Sequence, residues 1–142
     1  MLGRKDYTKE ELNHAREWID EELKAYKRLA KAVAATSDKR AQAALAAYEP
    51  IMAKNMVLAL DRPFVHRLRM GTGKDCNPLN EVELLVDSLI NSDGVLRGNN
   101  VIKYSADEAV LHLDTGDRIE LNAAQFEELA DAFLDEIRAR LV

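Results

Sequence analysis

The chain has 142 residues, 47% apolar and 32% charged, with a formal net charge of −5, a balance that fits one globular domain over residues 1–142 and excludes disorder. A single cysteine, Cys76, excludes an internal disulfide framework, and with no signal pattern at the N-terminus a cytoplasmic protein is expected. Apolar runs such as residues 56–60 are far short of the roughly 20 residues needed to cross a bilayer, and the net acidity disfavours nucleic acid as a partner.

Thr8-Lys9-Glu10-Glu11 has the form of a capping box, in which the threonine oxygen and the glutamate satisfy each other's orphan amides. Leu12, Ile19, Tyr26 and Val33 then recur every seven residues, with Leu23 and Ala30 on the same side. A helix over residues 9–35 follows, about 40 Å long at 1.5 Å per residue, and it needs a lengthwise partner. Thr36-Ser37-Asp38 supplies a turn and an N-cap. A second helix carries Ala41, Leu45, Tyr48, Met52, Met56 and Ala59, with Pro50 either kinking or splitting it. The short connection makes the two an antiparallel helical hairpin over residues 9–60.

Beyond Asp61-Arg62-Pro63 comes a basic, glycine-containing loop, after which Asn77 is a candidate N-cap with Pro78 at the first helical position. Leu79, Val82, Leu85, Val86, Leu89 and Ile90 form one helical face, and Asp93-Gly94 ends it. From Val95 the pattern shifts. Residues 101–104, 109–113 and 118–121 read as strands, with Asp114-Thr115-Gly116-Asp117 as a hairpin turn. Asn122-Ala123-Ala124-Gln125 is a further capping box, opening a final helix with Phe126, Leu129, Ala130, Phe133, Leu134, Ile137 and Leu141 facing inward. The expected fold is α+β and predominantly helical: a long N-terminal helical hairpin, then a subregion over residues 78–142 of helix, small antiparallel sheet of two or three strands, and helix.

Polar chemistry concentrates at residues 62–81. Between Arg62 and Lys74 there are four fixed positive charges, one histidine and no acid. Arg67 and Arg69 present planar forks suited to phosphate or carboxylate, Gly71 and Gly73 allow close backbone approach, and the helix N-terminus at Asn77–Asn80 adds its dipole. His66, Arg67, Arg69, Lys74, Asp75, Asn77, Asn80 and Glu81 are thus the candidate ligand-binding residues. The competing and weightier reading is pairing in cis, because residues 75–93 hold five acids and no lysine or arginine.

Other patterns are weaker. Gly71-Thr72-Gly73-Lys74 lacks the spacing and the hydroxyl of a phosphate-binding loop, since Asp75 follows the lysine. Asp114-Thr115-Gly116 has the letters of an aspartic-protease site but reads better as a turn. Glu11 and His14 form one E-x-x-H unit without a second, and the three histidines show no metal spacing, so neither metal nor cofactor is expected. Cys76 has no histidine placed beside it by sequence, although His66 or His112 is conceivable as its base. His112 falls on the solvated side of its strand. Trp18 borders the apolar seam of the first helix, where packing at the hairpin edge competes with anchoring a partner.

Two functional readings remain. The first is a non-enzymatic binding or assembly module, self-associating through the hairpin and gripping a small anion at the 62–81 loop. The second is a small enzyme on a phosphate- or carboxylate-bearing substrate, with His66 or Asp75 moving a proton. The first is favoured, because no nucleophile–base pair, metal set or cofactor loop is evident. It requires an apolar stripe on the hairpin left uncovered by the chain itself.

Overall fold

A computed structural model describes residues 3–142. Helix α1 spans Lys9–Ala34, and its capping box forms, with Thr8 Oγ1 accepting the Glu11 N–H at 3.0 Å and the Glu11 carboxylate accepting the Thr8 N–H at 3.2 Å. Asp38 caps α2, Lys39–Asp61, by accepting the N–H groups of Arg40 and Ala41. Pro50 lies inside α2, which continues through it as one helix. Their shared grooves put Trp18 beside Met56 and Val33 beside Gln42, the pairing of an antiparallel hairpin.

A 3-10 turn at Arg62–Phe64 follows, then a single helical turn α3, Arg69–Thr72, then α4, Pro78–Asn91, and α5, Ala123–Leu141. Helix α5 packs on α1, α2 and α4, so it runs through the centre of the body. Its Phe126, Leu129, Phe133, Leu134 and Ile137 are completely buried, each worth about 1.5–3 kcal/mol in transfer terms. Phe64 joins the layers: its ring meets Tyr7 edge-on at 5.0 Å and Phe133 at 5.9 Å. Among the described residues no helix is long and apolar enough to cross a membrane.

The hairpin outruns this core. Its buried residues end at Tyr26 on α1 and resume at Met52 on α2, and none of residues 27–51 is buried. The outer part of the hairpin is an arm with an alanine-rich seam.

The expected sheet is absent, and the α+β assignment is replaced by a predominantly helical one. Among the described residues only two isolated bridges occur, Arg4 with Arg67 and Val95 with Arg118, and residues 101–104, 109–113 and 118–121 form no strands. The reason lies in where the backbone amides go. Val110 and Leu111 donate to the Glu81 carboxylate at 2.7 and 3.0 Å, Val101 and Ile102 to Asn99 Oδ1, and Lys103 to the Lys74 carbonyl. His112, at φ 55°, also breaks the extended run that a middle strand requires. The turn at Asp114–Asp117 does form, with the Asp117 N–H on the Asp114 carbonyl at 3.0 Å. Its far side pairs with Leu96 instead of a neighbouring strand. Leu96, Ile102, Ala109, Ile119 and Leu121 still reach the interior, as separate plugs from an irregular segment.

Candidate functional site

The 62–81 loop folds as a polar knot at the junction of α2, α4 and α5. Arg67 and Asp61 lie at its base, with side chains 4% and 11% exposed and Nη1 to Oδ1 at 2.7 Å. The same guanidinium donates to the carbonyls of Phe64 at 3.0 Å and Leu79 at 3.1 Å, and it stands 5.2 Å above the Phe133 ring. Those acceptors tie the end of α2 to the start of α4. Arg67 Nε and Tyr7 Oη are the buried side-chain polar atoms without a partner among the described residues.

Arg69 starts α3 and is committed as fully. It pairs with Glu83 and donates to Asn80 Oδ1 at 2.8 Å, the Gly73 carbonyl at 3.0 Å and Thr72 Oγ1 at 3.3 Å. Asn80, wholly buried, turns its amide nitrogen to the carbonyls of Thr72, Gly73 and Asp75. Asn77 is the N-cap of α4, accepting from Leu79 and Asn80 and donating to the Thr72 carbonyl at 2.8 Å. Its oxygen and Pro78 at N1 account for the orphan donors that an anion would otherwise meet there.

Asp75 sits at the rim, 3.2 Å from Arg140 Nη2. Desolvation pulls its carboxyl up, but the Arg140 guanidinium, a backbone donor and Asn77 outweigh that and hold it below the usual carboxylate range. It therefore stays ionised and makes a poor acid. Glu81 is 2% exposed and accepts the Val110 and Leu111 amides, so it holds the irregular segment in place instead of lining a pocket. Burial pushes its carboxyl up, against the pull of those amides. Burial likewise pushes the Cys76 thiol up, and its sulfur rests 3.4 Å from the Ser105 carbonyl, which removes the activated-thiolate reading. His66, Lys74 and Arg62 are exposed, and their side chains make no hydrogen bond or ion pair among the described residues.

The loop thus brings Arg69, Asp75, Asn77 and Asn80 into one network, with Arg67 and Asp61 as a separate pair beneath it, while His66, Lys74 and Glu81 stand outside both. Sequence reasoning missed Asp61 and Arg140. Asp61 stands ahead of the basic run, and Arg140 lies 65 residues from Asp75, a distance no local pattern bridges. Glu11 is engaged by Arg4, and among the described residues no three side chains of metal-ligating type converge.

No protein-family model, curated protein or solved structure matches this chain. Of the exposed large apolar side chains among the described residues, Trp18, Leu29, Tyr48 and Ile51 lie on the hairpin, while Met70 and Ile90 lie outside it. Trp18, Tyr48 and Ile51 are 45%, 47% and 53% exposed, and with Met52 and Met56 they line a groove of about 290 Å³ between α1 and α2. Ile51 also borders a second groove, of about 340 Å³, running towards Leu58, Leu89 and Arg118. The outer side of α2 is therefore a ridge with a groove along each flank.

Proposed function

We propose that this protein is a non-enzymatic binding or assembly module whose contact surface is the α1–α2 hairpin. The observation that carries this reading is the cluster of Trp18, Tyr48 and Ile51, large apolar side chains about half exposed around one groove. Tryptophan and tyrosine are the side chains that contribute most when a protein interface closes over them. The anion-gripping role has less support, because the guanidinium groups of Arg67 and Arg69 already meet protein acceptors. The enzyme alternative is weaker again, with Asp75 held as its carboxylate by Arg140 and His66 in no network.

A photo-crosslinking phenylalanine derivative at position 18 tests the reading in cells expressing the full chain. Illumination is expected to give a protein adduct, whereas the same residue at exposed Glu120, outside the hairpin, gives none. Equal, background-level adducts at both positions overturn it.

A further inference from the structure

Helix α1 divides its charge in two. Residues 9–22 hold six acids and two bases, a net −4, and residues 23–34 hold four bases and no acid, a net +4. The helix macrodipole favours that order only within the first and last turns. It does not account for Glu17 and Glu21, or Lys24 and Arg28, in the middle. Within the helix the segregation is unfavourable, because Glu17/Glu21 and Lys24/Arg28 are like-charge pairs at i, i+4.

These four residues form one stripe, at positions i, i+4, i+7 and i+11, along the solvent side of α1. All four are exposed, and none makes an ion pair or hydrogen bond among the described residues. The ion pairs from α1 to other parts of the chain, among the described residues, run through Glu11 to Arg4, Arg16 to Asp131 and Lys27 to Glu127. The stripe borders a shallow depression of about 460 Å³. Beside it, on the flank towards α2, lie Trp18 and Leu29, 45% and 49% exposed and about 17 Å apart along the helix.

We infer that α1 pairs antiparallel with α1 of a second copy of this chain, about a two-fold axis crossing the helix near residues 22–24. In that register Glu17 faces the partner's Arg28 and Glu21 faces the partner's Lys24. Trp18 comes within two residues, about 3 Å along the helix, of the position facing the partner's Leu29, close enough for the two long side chains to touch. Each contact occurs twice, as a two-fold interface requires. Parallel pairing would set acid on acid and base on base. A partner of uniform charge would oppose half of the stripe. The antiparallel copy matches all of it and covers both large apolar side chains. This inference rests on the hairpin being a contact surface and names what occupies it.

Sedimentation equilibrium of the full chain, over about a hundredfold range of concentration extending to about 200 μM, tests the pairing. Wild type is expected to dimerise, and more weakly at high salt. Two double variants, Glu17→Lys/Glu21→Lys and Lys24→Glu/Arg28→Glu, are each expected to be monomeric, because each opposes like charges across the axis. An equimolar mixture of the two recreates the complement and is expected to restore the dimer, which also shows that both variants fold. A monomeric wild type, a dimer that survives either charge reversal, or a mixture that stays monomeric overturns the pairing. A position-18 adduct with a mass other than two chains, in a protein that sediments as a monomer, overturns the pairing and leaves the hairpin reading standing.

Discussion

Arg67 donates to Asp61 at 2.7 Å, and the pair is sealed between the end of α2 and the start of α4. This contact makes the base of the most basic stretch of the chain a structural joint. Removing one partner strands the other as a buried charge. Arg67→Ala and Asp61→Ala are each expected to lower stability by about 3–5 kcal/mol. Arg67→Met combined with Asp61→Leu should recover most of that loss. Urea midpoints of the three variants check it. A loss under about 1 kcal/mol for both single variants would remove the joint.

Asn80 makes the same case with neutral groups. Its amide nitrogen donates to three backbone carbonyls and its oxygen accepts from Arg69. Asn80→Asp keeps the acceptor and the shape but turns the three donated contacts into repulsions. It is expected to destabilise by about 2 kcal/mol or more, a loss comparable to stranding buried polar groups. Thermal melts of Asn80→Asp and Asn80→Ala measure the two costs.

Glu81 has a pH signature of defined sign. Burial raises its folded-state pKa above the usual 4.5, so the native state binds more protons than the unfolded chain in that window. Its contribution to stability is largest below pH 4.5 and declines as pH rises through the folded value. Wild type minus Glu81→Gln, compared in urea from pH 4 upward, should fall with rising pH. A difference that grows with pH would reverse the assignment.

Glu11 should behave oppositely. The hydrogen bonds from Arg4 hold its carboxyl down at about 2, against the usual 4.5. Its contribution is fully present above pH 4.5 and is lost as pH falls towards 2. The advantage of wild type over Glu11→Gln is expected to shrink across that interval in acid melts, and a constant difference would contradict the pairing.

The helices were legible because local chemistry marks their ends. Thr8 with Glu11, Asp38, Asn77 with Pro78, and Asn122 with Gln125 all cap the helices they were read to cap. The strands misled because alternation of apolar residues at 101–104, 109–113 and 118–121 describes any extended segment with one buried side. A sheet also needs neighbouring backbones, and here Glu81 and Asn99 take amides that a ladder would have used. The loop at residues 62–81 was legible as a concentration of polar chemistry, and its role stood open between a site and pairing in cis. The pairing is real for Arg69 with Glu83 on the acidic helix, while Arg67 pairs with Asp61 before the loop.

By itself the sequence determined where helices begin and end, which faces of them are apolar, and that charge collects at residues 62–81. These features depend on residues within one or two turns of each other, and capping and period record them directly. Only the tertiary structure decided which guanidinium meets which carboxylate, that the irregular segment hangs from Glu81, and that Trp18, Tyr48 and Ile51 stay uncovered. Those outcomes depend on which distant elements come within a few ångströms. A charge or an aromatic ring has the same letter whether it meets a partner or water.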